Sequence, residues 1–426
     1  MKNYKNKKNR IELLAPAGSI EKMKYAIEYG ADAVFLGVPD FSLRVRINKF
    51  TENDIKKAAE YAHKLNKKIY VTLNIYAHNS HLPRIEKHLK FLRKLKVDGV
   101  IVSDPGIINL VKKHLPKTDT HLSTQANATN WQAVKFWKNI GVKRIILARE
   151  VTLEEIKEIR KMVPGVELEY FVHGAMCMSY SGRCILSKWM TDRSANLGDC
   201  SQPCRWQYKT MNNEQGTVNN KTIRIKDDKE RYGMDVEEDR HGTYFFNSYD
   251  MNLIEHVDGL IKAGVTSLKI EGRAKSAYYL AVVTRGYRKV VDAIEHKLPE
   301  KEIKKIISEQ KTEFDNLVHR GYSTGFLLGE EPQHNFKNAE NKPPYKFVGE
   351  ILGSKNGLNA VKIHNEIYLK DRLEAVGPQK NETVGVIKIY DYKKNEVLEA
   401  HGGSDRIYYM KFNKTLEEKD ILRKIG

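Results

Sequence analysis

The sequence predicts an α/β fold of the (β/α)8, TIM-like barrel type, with a cysteine-bearing insertion and a small C-terminal all-β barrel. Three observations predict it. Short apolar runs alternate with amphipathic segments eight times in the first three hundred or so residues, and that alternation implies a parallel sheet with helices packed outside it. The seventh and eighth runs are separated by some ninety residues that hold every cysteine, where an ordinary unit needs about a third of that length. Beyond about residue 345 helical periodicity gives way to short β-prone runs parted by Gly, Asn and Asp.

The elements follow in order. Ile11–Ala15 reads as the first strand, and Ser19 caps a helix through about Tyr29. Ala33–Gly37 is the second strand, and Thr51 caps a helix to about Leu65. Lys68–Asn74 is the third, followed by a helix near Arg84–Leu95. Gly99–Ser103 is the fourth, with Pro105 at a helix start. Thr120–Thr124, Lys143–Ala148 and Glu167–His173 are the next strands, with helices over Trp131–Asn139 and after Thr152. A helix over Asn252–Ala263, a strand over Ser267–Glu271 and a long helix over Ala277–His296 complete the eight units. An open doubly wound sheet is the rival, but no GxGxxG follows the first strand.

Residues 1–10 read as a basic, solvated tail, 11–335 as the barrel with an insertion at about 174–245, and 345–426 as the β-barrel domain. Within the insertion, Asn212–Gly242 is polar and charged and reads as a mobile loop or exposed hairpin. The β-domain is read from Phe347–Ile351, Asn359–Ile363, Glu366–Leu369, Thr383–Tyr390 and Asp405–Phe412.

Of the 426 residues, 41% are hydrophobic and 30% charged, which supports a core and excludes wholesale disorder. The net charge of +19 favours polyanionic partners such as RNA, although a Lys- and Asn-rich composition has the same effect on its own. No apolar run reaches a membrane span, and the first ten residues lack an apolar signal core, so a cytoplasmic location is expected. A reducing cytosol argues against structural disulfides among the four cysteines.

The cysteine spacings are C-x6-C, C-x15-C and C-x3-C, for Cys177, Cys184, Cys200 and Cys204. Structural zinc usually uses two close pairs, while four thiolates also hold an iron–sulfur cluster. Spacing leaves both open and favours iron–sulfur.

The run Glu169–Ser187 has the form E-x-F-x-x-G-A-M-C-x4-G-x-C-x-L-S. It resembles the signature of the U32 peptidase family. Leu13–Gly18 (LLAPAG), Arg149-Glu150, Cys200-x3-Cys204-Arg205-Trp206 and Lys269–Arg273 (KIEGR) carry the same resemblance across most of the chain. Named for a collagenase-like activity, the family includes hydroxylases with a [4Fe-4S] cluster. By length, C-terminal domain and C-x3-C spacing, the chain is similar to the branch that converts wobble uridine of tRNA to 5-hydroxyuridine. The resemblance implies a [4Fe-4S] cluster on the four cysteines, prephenate as the hydroxyl source, tRNA as partner, and a paralogous U32 protein as a further partner. The alternatives are a collagenase-like peptidase, an rRNA hydroxylase, and a non-catalytic RNA-binding protein with a structural metal. No HExxH motif occurs, and cysteines committed as ligands are unavailable as nucleophiles.

Strand parity nominates site residues, because barrel active sites lie at the C-terminal strand ends. Ser267, Lys269 and Glu271 face inward; Lys269 and Glu271 are costly there unless they are paired or functional. Glu169, Phe171 and His173 share the inward parity of the seventh strand, which sets His173 at the mouth as an acid/base candidate. Gln125 ends the fifth strand and could read a base edge. Arg149, Arg183, Arg205 and Arg273 could bind the carboxylates of prephenate or RNA phosphate, with Glu150 pairing one of them. Tyr180, Trp189 and Trp206 either stack on a base or wall the cluster from solvent, the latter being favoured.

Overall fold

The computed structural model describes residues 10–37, 41–42, 50–177, 179–206, 208–210, 222–227, 233–237, 248–330, 341, 343–403 and 406–425. Eight parallel strands form its centre: β1 (Glu12–Pro16), β2 (Ala33–Gly37), β3 (Lys68–Leu73), β4 (Gly99–Val102), β5 (Asp119–Leu122), β6 (Arg144–Ile146), β7 (Glu167–Ala175) and β8 (Ser267–Ile270). Each pairs with the next, and β8 returns to β1 with Leu14 opposite Lys269, so the sheet closes. Helices α1 (Ile20–Glu28), α2 (Glu52–Lys64), α3 (Leu82–Leu95), α4 (Pro105–His114), α5 (Trp131–Asn139) and α6 (Leu153–Met162) follow the first six strands.

Local chemistry sets these boundaries. Ser19 accepts a hydrogen bond from the Lys22 amide, and Thr51 and Thr152 form reciprocal capping boxes with Asp54 and Glu155. Asp104 caps α4 ahead of Pro105, whose missing N–H costs nothing at a first helical position.

The barrel floor is ionic. Arg144 is paired with Glu12 and lies 3.1 Å from Glu169, while Lys269 Nζ lies 2.7 Å from the other Glu169 oxygen. The Tyr70 hydroxyl donates to Glu12 at 2.7 Å. Two acids thus face two bases inside the sheet, where each charge would otherwise be heavily penalised. Burial pushes the Glu12 carboxyl up, but Arg144, Tyr70 and Lys68 together leave it below its ordinary value.

After β7 the chain crosses the mouth as a loop through Cys204, whose described residues hold one short α-helix, Leu186–Thr191, and single 3-10 turns at Tyr180–Gly182, Ala195–Leu197 and Pro203–Arg205. A three-stranded antiparallel sheet follows, Tyr208–Thr210, Thr222–Asp227 and Gly233–Glu237. The last two form the expected hairpin; the rest of Asn212–Gly242 lies outside the described residues. The helix expected over Asn252–Ala263 is shorter, Val257–Lys262, because Asp250–Asn252 pairs antiparallel with the end of β7. Of the basic tail, residues 1–9 lie outside the described residues. Arg10 lies within 4 Å of Asp32, Asp292 and Glu295, which corrects its reading as merely solvated.

The Ala277–Glu295 helix is buried on nearly all sides, between β1, α1, a helix over Glu300–Asp315 and the C-terminal domain. The Glu300–Asp315 helix was not anticipated; it packs through Phe314, which a Cβ on Gly286 would meet at 2.6 Å.

The C-terminal domain is an antiparallel six-stranded barrel. Its order is Arg372–Val376, Ile421–Ile425, Tyr345–Lys355, Leu358–Ile363, Ile407–Phe412 and Asn381–Tyr390, which pairs back to the first. The first two strands of that order were also unanticipated. Arg423 joins the domains, 2.9 Å from Glu313 on the barrel side and 2.6 Å from Glu374 in its own domain. No helix of the described residues is long and apolar enough to cross a membrane.

Candidate active site beneath the cysteine loop

A cavity of about 240 Å³ opens at the C-terminal end of the barrel, under the cysteine loop. Phe35, Ile101, Ile146 and Phe171 give it apolar walls. Gln125, Arg149, Lys269, Glu271 and Arg273 supply its functional polar groups, and all four cysteines line it.

The strand-end residues are positioned by neighbours. Gln125 Oε1 accepts from Asn74 Nδ2 at 2.9 Å, which fixes the amide and leaves a buried Nε2 without a protein partner among the described residues. The Arg149 guanidinium stacks 4.0 Å from the Phe171 ring centroid, and Lys269 Nζ lies 4.4 Å from that of Phe35. Burial pulls the Lys269 pKa below its ordinary value even though Glu169 opposes this. Arg273 comes close to the turn after β1: a Cβ on Gly18 would lie 2.2 Å from the Arg273 carbonyl oxygen. LLAPAG and KIEGR are therefore two sides of one tight contact.

The loop is strapped to the barrel. Glu150 accepts both the amide and the hydroxyl of Ser181, at 2.7 and 2.8 Å, and so fixes a residue in left-handed conformation (φ +47°). Arg183 donates from two nitrogens to the Gln125 carbonyl, at 3.0 and 2.8 Å. Arg320 holds the Met176 carbonyl at 3.2 Å while pairing with Asp250. Gly174, at φ +111°, passes so close to Glu271 that a Cβ would meet its carbonyl oxygen at 2.4 Å. All four thiols are free of disulfides, and Cys200 Sγ accepts the Gln202 amide at 3.4 Å. Among the described residues no three His, Cys, Asp or Glu close on a point that would hold a single metal ion.

The structure therefore brings Gln125, Arg149, Lys269, Glu271, Arg273, Cys177, Cys184, Cys200 and Cys204 to one cavity. It separates others from it. His173 does not reach the mouth. A bulge between β7 and β8 sets Phe171 opposite Lys269 but His173 opposite Ile270. One extra residue reverses the facing of all that follow. The His173 imidazole is fully buried among Tyr279, Tyr287, Phe314 and Tyr322, and desolvation pushes its pKa down to about 3. Glu150 and Arg183 are spent on holding the loop, so neither is placed to bind substrate, and Glu150 pairs with Ser181 and not with an arginine. Tyr180 and Trp189 are exposed and do not wall the cysteines from solvent. The Arg205 side chain lies outside the described residues.

Sequence reasoning missed Asn74, Arg193 and Asp199, which also line the cavity. Arg193 lies 2.9 Å from Asp199. A polar residue closing an apolar strand, as Asn74 does, was a readable sign of a barrel-mouth position.

A closed α/β barrel with a mouth roofed by a four-cysteine loop, joined to a small β-barrel, defines the class. Residues 18–337 match the profile of Peptidase family U32, and residues 343–423 that of the Peptidase family U32 C-terminal domain. The chain belongs to the U32 family. It is 41% identical to "tRNA hydroxylation protein P" of Haemophilus influenzae, over 94% of this chain and 92% of that one. It is 39% identical to "tRNA hydroxylation protein P1" of Bacillus subtilis, over 97% and 94%. An Escherichia coli 23S rRNA 5-hydroxycytidine synthase is 36% identical over 67% of this chain and 40% of its own length.

Proposed function

We propose that the protein is a cytoplasmic RNA-hydroxylating enzyme that forms 5-hydroxyuridine at the wobble position of tRNA. The observation that carries this reading is its similarity, along nearly the whole of both chains, to proteins named for tRNA hydroxylation. The geometry adds support. No histidine lines the cavity among the described residues, so the Ser–His or Cys–His pair of a peptide hydrolase is not assembled there.

Replacing the C5 hydrogen of uridine by hydroxyl is a two-electron oxidation, so a hydroxyl donor must exchange its hydroxyl for the displaced hydrogen and be reduced by two electrons. Prephenate suits the cavity as that donor: it carries two carboxylates, and Arg149 and Arg273 offer two guanidinium forks, with Glu271 as a local counter-charge. Lys269 holds or releases a proton at Nζ, its charge kept in place by Glu169. The free amide nitrogen of Gln125 is a donor for a base carbonyl.

Four cysteines outside any disulfide, all lining one cavity, fit the ligand set of a [4Fe-4S] cluster. Their spacings lack the two close pairs usual for structural zinc. When bound, such a cluster supplies electron transfer or Lewis-acid character. Cys177, Cys184, Cys200 and Cys204 would hold it, and the Gln202 amide would stabilise the Cys200 thiolate.

The test is nucleoside mass spectrometry of tRNA from cells lacking the gene and any paralogue. Restoration of 5-hydroxyuridine by the wild-type gene, and not by Cys177→Ala, is expected, with the variant protein losing its iron. An unchanged nucleoside profile on deletion overturns the reading.

A further inference from the structure

The cysteine loop has an outer face whose chemistry the cavity does not use. Ser179, Ser181, Cys184 and Leu186 line the cavity. Their neighbours Tyr180 and Ile185 do not, and are 54% and 78% exposed; Trp189, one helical turn beyond Ile185, is 67% exposed. These are three of the five most exposed large apolar side chains among the described residues. The backbone just after Tyr180 is held: Glu150 binds Ser181, and the Arg183 side chain is anchored on the Gln125 carbonyl.

We propose that Tyr180, Ile185 and Trp189 are a stacking surface for the bases that flank the reactive base in a single-stranded RNA loop. The inference rests on the RNA-hydroxylase reading above and names how the substrate is held. The cavity takes the reactive base, the rest of its lining being the cysteines and the arginines assigned to the oxygen donor. The nucleotides on either side stay outside, against whatever adjoins the mouth, and the outer face of the roofing loop adjoins it. Every base has a π-face, so aromatic stacking binds without demanding a sequence. The chain's net charge of +19 supplies the attraction to phosphate that stacking lacks. An RNA occupant is favoured over a protein one because that charge complements a polyanion.

The experiment uses the iron-loaded full chain and a fluorescein-labelled anticodon stem-loop RNA at fixed salt, read by anisotropy. Trp189→Ala and Tyr180→Ala are expected to weaken binding about tenfold each, with iron content unchanged, and Trp189→Phe and Tyr180→Phe to bind within about twofold of wild type. Titrating unlabelled stem-loop into the wild type is expected to quench a tryptophan emission that Trp189→Phe lacks, a readout independent of any Ala variant's folding. Unchanged affinity and no Trp189 quenching, in a protein whose gene restores 5-hydroxyuridine, overturn the stacking surface and leave the enzyme reading intact. Unchanged stem-loop affinity with hydroxylation lost only in cells assigns the patch to a protein partner and also overturns it. Failure of the wild-type gene to restore 5-hydroxyuridine removes the enzyme reading itself.

Discussion

The two ends of the barrel interior hold charge in different surroundings. At the floor, Glu12, Glu169, Arg144 and Lys269 neutralise one another within hydrogen-bonding distance. At the mouth, Arg149, Arg273, Glu271 and the Gln125 amide face a cavity beneath four cysteines outside any disulfide. The floor set arises from positions on barrel strands and the mouth set from residues just beyond the strand ends, Lys269 and Glu271 lying two residues apart across that border. The difference is in their surroundings. A charge inside the sheet must be answered by protein, whereas one at the open end can be answered by a ligand. The floor is therefore read as stability and the mouth as chemistry, with Lys269, which lines the cavity while pairing with Glu169, shared between the two.

The sharpest way to break that division is Arg144→Ala. It strands Glu12 and Glu169 without their shared base, and about 3–5 kcal/mol of stability should be lost. Denaturant midpoints of the apo and iron-loaded proteins would measure it. A loss under about 1 kcal/mol would mean that the floor is not what holds the barrel closed.

His173 tests the boundary between the two regions, since parity put it at the mouth and a bulge turned it into the helix layer. Its folded pKa, about 3, lies below the unfolded value near 6.5. Below pH 6.5 the unfolded chain takes up a proton that the native state refuses, so stability falls as pH falls, by about 1.4 kcal/mol per unit towards pH 3. Between pH 6.5 and 5, His173→Phe should lose about 2 kcal/mol less than wild type in urea melts, with hydroxylation at pH 7 retained. Loss of hydroxylation in a well-folded His173→Phe protein would return this residue to the chemistry.

Arg149→Gln is the smallest and most specific test. The side chain is only half-buried, so stability should change by less than about 1 kcal/mol. Its loss of a carboxylate-binding fork should raise the KM for the oxygen donor about tenfold while leaving stem-loop affinity unchanged. An equal loss of RNA affinity would reassign Arg149 to phosphate.

Much of the site was legible because it follows a period. Lys269 and Glu271 alternate with buried Leu268 and Ile270, and Gln125 and Arg149 come three residues after the ends of β5 and β6. Parity cannot foresee an inserted residue, and so it failed at His173, where the bulge between β7 and β8 lies outside anything that β7 alone encodes. Nor could it divide the arginines. Arg149 and Arg273 reach the cavity, while Arg183 is used up on the Gln125 carbonyl, and only folding shows which carbonyl lies within reach. The missed strands have a similar cause. Ile421–Ile425 carries little β signal alone and is made a strand by Tyr345–Lys355 on one side and Arg372–Val376 on the other.

The sequence by itself determined the barrel, the cysteine-bearing insertion, the family and the membership of most of the cavity. Each of these depends on local period, capping or motif, which a chain carries from one residue to the next. The tertiary structure decided which polar groups are answered by protein and which are left to a ligand. Glu169 is claimed by Arg144 and Lys269, and Glu150 by Ser181, while the amide nitrogen of Gln125 is claimed by no protein group among the described residues. Those assignments depend on distances between residues far apart in the chain, and closing the barrel is what sets them.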